Sequence, residues 1–163
     1  MNNLNVVAKR EASSYRVPID IDDRVFTIKF DSGATDTVIS ARVFSNSLKE
    51  SDLARFTEYC EEHSQHNKEF ISATGHTFKG YLVTAHNVRL GKSVLPDFRY
   101  YLVVESERDI ALLGFDFIDK CRCSHDPDRH FYLTGFDAES YGADIGAMEN
   151  DEVVAFMDSL TED

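Results

Sequence analysis

One stretch constrains this chain more than any other: Phe30-Asp31-Ser32-Gly33-Ala34-Thr35-Asp36-Thr37-Val38-Ile39-Ser40. The apolar, β-branched run Val25 to Phe30 leads into it, and a second β-rich run follows the glycine. That order predicts strand, tight turn, strand. Gly33 allows a backbone geometry that a Cβ would resist. Asp31 then stands at the end of a rigid strand with its carboxylate presented at the turn. Two such carboxylates facing each other cannot both ionise cheaply, so they share a proton. One can act as general base on a water while the other acts as acid on a carbonyl. Asp-Ser-Gly by itself also reads as an ordinary turn with Asp as a local hydrogen-bonder.

The bulk properties narrow the setting. A chain of 163 residues suits one domain with a sizeable core. The net charge of −12 argues against nucleic acid as a partner. Residues 137–163 hold nine acids and no Lys or Arg, which leaves −3 for the body. The acidity therefore belongs mainly to a tail. Three cysteines, Cys60, Cys121 and Cys123, form no dense framework and fit a reducing compartment. The first fifteen residues show no apolar signal-peptide core, and no run approaches a membrane span. The expectation is a cytoplasmic protein that binds neither membrane nor nucleic acid.

Along the chain, residues 1–14 read as a flexible arm. Val17, Ile19 and Ile21 alternate with polar neighbours, Asp22-Asp23 makes a hairpin turn, and Val25 to Phe30 returns. Residues 41–66 form a helical insertion: a short turn at 41–45, then an amphipathic helix over 51–64 capped by Ser51 and carrying Leu53, Phe56 and Cys60. Phe70 to Phe78 reads as strand, small turn, strand with Gly75 at the tip. Tyr81 to Leu90 and Val94 to Val104 read as two longer strands around Gly91-Lys92. Phe115 to Cys121 suits a short helix and His130 to Phe136 a strand. In the acidic tail, Val153, Val154, Phe156, Met157 and Leu160 can share one helical face.

Other constellations are weaker. Cys60, His63 and His66, and the cluster Cys121, Cys123, His125 and His130, contain zinc-type donors but no paired C-x-x-C knuckles. The expectation is buried thiols and surface imidazoles, with no metal and no cofactor. There is no phosphate-cradling glycine motif.

The string from Asp31 to Ile39 resembles the active-site motif of retropepsin-like aspartic proteases. Leu112-Leu113-Gly114-Phe115-Asp116-Phe117-Ile118 is similar to the family's hydrophobic-hydrophobic-Gly segment. The resemblance covers residues 15–136. It implies an all-β, mainly antiparallel closed barrel with one or two short helices, of the single-domain, non-viral type. It also implies an aspartic endopeptidase: Asp31 catalytic, with Ser32, Gly33, Thr37 and Gly114 supporting the loop. Gly33, Ala34, Thr35 and Asp36 would contact a polypeptide substrate, and Ala73, Thr74, Gly75 and His76 would form the flap that closes over it. Asp36 and Asp116 read as acids supporting the site or lying at the surface, with contact to substrate backbone as the alternative. Only one Asp-Ser-Gly occurs. A second aspartate must therefore come from another copy, which implies a homodimer. Viral members carry a second acid where Thr35 stands and a pairing arginine where Phe115 stands, and both are absent here. That keeps open the alternative of a protease-like dimeric module that binds peptide without turnover.

Overall fold

The hairpin that leads to Asp31 turns at Asp22 and Asp23, with φ of 50° and 69°. Two left-handed residues match the twist of the flanking strands, and aspartate tolerates the conformation better than most side chains. The Asp20 carboxylate accepts the Asp23 N–H at 2.9 Å and holds the turn. The structure is a computed structural model describing residues 4–11, 14–72, 74–105, 109–125, 130–141 and 146–162. In chain order its elements are β1 (Asn5–Glu11), β2 (Ser14–Ile21), β3 (Arg24–Phe30), β4 (Val38–Ser40), α1 (Ala41–Phe44), α2 (Glu50–His63), β5 (Asn67–Ile71), β6 (Thr77–Ala85), β7 (Val88–Leu90), β8 (Ser93–Leu95) and β9 (Phe98–Val103). Then follow β10 (Ala111–Leu113), α3 (Phe115–Ile118), β11 (Arg122–His125), β12 (His130–Thr134), α4 (Ala138–Tyr141), β13 (Met148–Glu149) and α5 (Asn150–Thr161).

The chain divides into two compact units. The first comprises Met1–Thr37, His86–Phe98 and Ala111–Ala143. Its strand order is β11-β12-β1-β2-β3-β10, with β7 on β2 and β8 on β7. The β2–β3 register runs from Tyr15 opposite Phe30 to Ile21 opposite Arg24. Val17, Ile19 and Ile21 point inward as their alternation requires. Phe117 anchors the aromatic part of this core, stacked on Phe136 at 4.7 Å and set edge-on to Phe98 at 5.9 Å.

The second unit comprises Val38–Ala85, Arg99–Ile110 and Asp144–Asp163. Its order is β4-β9-β6-β13, with β5 on β6. Helix α2 buries Leu53, Phe56 and Cys60, and α5 buries Val153 and Met157. The helices meet where Tyr59 stacks on Phe156 at 4.1 Å.

Several expectations change. Neither unit's strand order closes on itself, and β10 on β3, β4 on β9 and β13 on β6 are parallel pairs. The closed, mainly antiparallel barrel gives way to an open, mixed, mostly-β arrangement. Alternation reports which side chains point inward but not which distant strand lies alongside, and parallel pairing needs long crossovers that leave no local mark. The helices exceed one or two short ones, because α2 and α5 run to 14 and 12 residues. Asn5–Glu11, read as arm, is a strand between β12 and β2. Val6 and Ala8 are fully buried there while Val7 faces out, an alternation too short to stand out beside Lys9 and Arg10. The two long strands after residue 81 break at His86-Asn87 and Pro96-Asp97 into β6, β7, β8 and β9. Ser51 is not the cap of α2. The helix begins at Glu50, and the Asp52 carboxylate accepts the Lys49 N–H at 2.9 Å. No helix among the described residues is long and apolar enough to cross a membrane.

Candidate active site

Strand β3 ends at Phe30, and Leu113 of β10 lies beside it in parallel register. The Asp31 N–H donates to the Leu113 carbonyl at 3.0 Å, so the chain leaves the strand still pinned to its neighbour. It then turns on Asp31 itself. The Ala34 N–H donates to the Asp31 carbonyl at 3.1 Å, and the Gly33 N–H donates to Asp31 Oδ1 at 3.0 Å. The carboxylate is thereby oriented by its own loop. Ser32, Gly33 and Thr35 are exposed, Asp31, Ala34 and Asp36 half-buried, and Thr37 fully buried.

The outgoing limb of the loop is sewn to the segment that follows β10. The Phe115 N–H donates to the Ala34 carbonyl at 2.7 Å, and the Asp116 N–H to the Thr35 carbonyl at 3.1 Å. Thr37 is the hub. Its Oγ1 accepts the Gly114 N–H at 3.1 Å and donates to Asp116 Oδ1 at 2.8 Å. That carboxylate oxygen also accepts the Phe117 N–H at 2.9 Å. Burial pushes the Asp116 carboxyl above the ordinary aspartate range, against the pull of the Thr37 and Phe117 hydrogen bonds. Gly114 is dictated by close approach: a Cβ there would stand 2.3 Å from the Asp36 carbonyl carbon and 2.8 Å from the Thr37 nitrogen.

The hairpin stands in the second unit. Strands β5 and β6 pair from Asn67 opposite Tyr81 to Ile71 opposite Thr77. The tip is organised by Ser72: its N–H donates to the His76 carbonyl at 2.8 Å, its carbonyl accepts the Gly75 N–H at 2.9 Å, and its hydroxyl shares a hydrogen bond with Thr74. Gly75 has a φ of +86°, which favours glycine. Thr74, Gly75 and His76 are all exposed, and Ala73 lies outside the described residues.

An aspartyl protease family model matches residues 17–117, well over half the chain, and so takes in both the Asp31 loop and the Gly114 segment. The chain belongs to the aspartyl protease family. Its fold is similar to the crystal structure of a retropepsin-like aspartic protease from Rickettsia conorii, with a TM-score of 0.54 and 15% sequence identity over 80% of this chain and 89% of that one. At that identity the likeness is one of fold. No curated protein matches the chain in sequence.

This family member gathers Asp31 to Thr37 and Gly114 into one hydrogen-bonded assembly within the first unit. Asp36 accepts from the Thr35 hydroxyl at 3.0 Å. Asp116 proves to be a brace. The sequence left Asp116 between support of the site and the surface, and it did not give the use of the Leu113 carbonyl. The one signal was an acid standing alone in the apolar run Leu112 to Ile118. Phe115, where viral enzymes place a pairing arginine, is 44% exposed. The thiols are poor nucleophile candidates, since burial pushes Cys60 and Cys121 up to about 12. Among the described residues no group of three or more His, Cys, Asp or Glu side chains is placed to hold a metal ion.

Proposed function

We propose that the protein is an aspartic endopeptidase whose active site forms from two copies of the chain, each contributing Asp31. The observation that carries this reading is the Asp31 loop: its carboxylate is oriented by Gly33, its backbone is fastened to Leu113, Phe115 and Asp116, and its Thr37 hydroxyl accepts from Gly114. One chain supplies one such loop, and the chemistry needs two carboxylates. Across the two-fold axis the pair shares a proton. The ionised member takes a proton from water as the water oxygen attacks the scissile carbonyl carbon, and the protonated member gives its proton to the carbonyl oxygen. Collapse of the resulting diol, with a proton passed to the leaving nitrogen, breaks the peptide bond. The Ser32 hydroxyls link the two loops, Gly33 to Asp36 hold substrate backbone, and residues 73–76 close over it to exclude water. Three free thiols suit a reducing cytoplasm.

A diverse peptide library incubated with purified protein at about pH 4 to 7, beside Asp31→Asn, tests this. Cleavage by the wild type and none by the variant is the expected result, and equal cleavage by the variant refutes the assignment. A second reading, a dimeric peptide-binding module without turnover, is favoured by the exposed Thr35 and Phe115, which leave the loop without the viral polar clamp. It predicts a dimer that binds peptide and cleaves none.

A further inference from the structure

The 72–76 tip is carried on a stem whose two faces differ. Phe70 and Phe78 stack at 5.7 Å on one face, where Phe70 meets Tyr101 edge-on at 5.4 Å. Gly80 makes that possible, because a Cβ there would stand 2.7 Å from the Phe70 ring. The other face carries Glu69, Thr77, Lys79 and Tyr81, and it borders an open cleft of about 310 Å³ whose further wall includes Thr57 and Glu61 of α2. The cleft separates the outer stem from the helix. It is bridged at Glu61, whose Oε1 accepts from Lys79 Nζ at 2.7 Å and from the Tyr81 hydroxyl at 2.9 Å. Lys79 also lies 5.7 Å from the centre of the Tyr81 ring, so the two donors support each other. These two hydrogen bonds hold the Glu61 carboxyl below the ordinary glutamate range. The helix that provides Glu61 is itself fixed, one turn earlier, by the Tyr59–Phe156 stack and by Phe56 against Phe156 at 5.9 Å.

We propose that Glu61 is a positioning residue for the lid, clamping the β5–β6 stem to α2 so that movement is confined to the tip beyond Ile71 and Thr77. The role assigned to the lid rests on the protease reading, whereas the clamp itself can be tested without activity. The clamp gives the helical insertion a purpose as a fixed post for a moving hairpin. The C-terminal helix α5, from the acidic tail, steadies that post.

The test is amide hydrogen exchange at millisecond to second times on the full chain, comparing wild type with Glu61→Ala and with the double variant Lys79→Met/Tyr81→Phe. Both variants are expected to speed exchange in β5 and in residues 77–81 by about two- to five-fold, the scale of a partly exposed ion pair. Exchange in β9 and α5 stays at the wild-type rate. Unchanged exchange in the stem overturns the clamp, as does an equal rise in β9 and α5, which would mark general loosening. In peptide cleavage, Glu61→Ala is expected to raise KM by a similar two- to five-fold with little change in kcat, because a looser lid lowers the closed population that substrate selects. A fall in kcat with KM unchanged overturns the positioning role. A wild type that cleaves nothing counts against the protease reading alone, and the exchange result then still decides the clamp.

Discussion

Replacing Thr37 with valine keeps the shape of the side chain and removes its hydroxyl, which isolates the hub of the Asp31 loop. Thr37 is fully buried, so water cannot replace what is lost. The Gly114 N–H, now without its acceptor, costs about 1–3 kcal/mol, and loss of the donor to the Asp116 carboxylate costs about 1.5–3 kcal/mol. The two share one oxygen and are not additive, so about 3–5 kcal/mol is expected in total. For a chain of this size that lowers Tm by about 6–20 °C. Thr37→Ser is the control. It keeps both hydrogen bonds and gives up one buried methyl, worth about 1 kcal/mol. The chain has no tryptophan, so urea unfolding followed by far-UV circular dichroism is the assay. Peptide cleavage at a temperature where all forms are folded should fall steeply in Thr37→Val and little in Thr37→Ser. Valine and serine variants within about 0.5 kcal/mol of each other would refute the hub, since they differ mainly in the hydroxyl.

Gly114→Ala should cost about 3 kcal/mol or more in the same unfolding assay, because its Cβ meets immovable backbone at 2.3 Å. Gly75→Ala has open space around its Cβ and pays only for a φ of +86°, about 1–2 kcal/mol; equal losses at the two sites would count against the close-approach account. Asp116→Asn tests the buried carboxyl through pH. The folded-state pKa of Asp116 is raised above the unfolded value of about 3.9, so the folded chain holds that proton more tightly. Its contribution to wild-type stability is therefore greatest below the unfolded pKa and is lost as pH rises through the folded one. The asparagine keeps Oδ1 as acceptor and has no such slope. Its stability relative to wild type should improve as pH climbs from about 3 to 6, and a gap that stays constant would contradict the burial argument.

The parts of the site that could be read from sequence were those written locally. A strand running into Asp-Ser-Gly and a glycine at a hairpin tip each follow from neighbouring residues, and the structure has a turn at Asp31 and a left-handed Gly75. The Asp22-Asp23 turn was legible for the same reason. Readings failed where a distant partner decides. Whether β10 runs parallel to β3 is settled by a neighbour some eighty residues away, and so is the burial of Asp116. The strand at Asn5–Glu11 exists because β12 and β2 flank it. At Ser51 a good capping residue falls inside the helix because the chain enters it at Lys49, whose N–H the Asp52 carboxylate accepts, an outcome that local preference does not rank.

The fastening of the Asp31 loop has a consequence for the order in which the loop is assembled. Its hub joins Thr37 to Gly114 and Asp116, separations of 77 and 79 residues, while the hairpin β2–β3 beside it closes over two residues. During synthesis the acid emerges before its braces, which follow about 4 to 16 s afterwards at ordinary ribosomal rates. Until then the bonds to Gly114 and Asp116 are missing, and contacts so distant in sequence are slow to form even once both ends exist. A ribosome-bound fragment ending before Leu112 thus carries the Asp31 loop without its bonds to Leu113, Gly114, Phe115 and Asp116. Attachment of the loop to residues some eighty positions further on works as a delay, so that the loop is fully fastened only once residues 113–116 have been made.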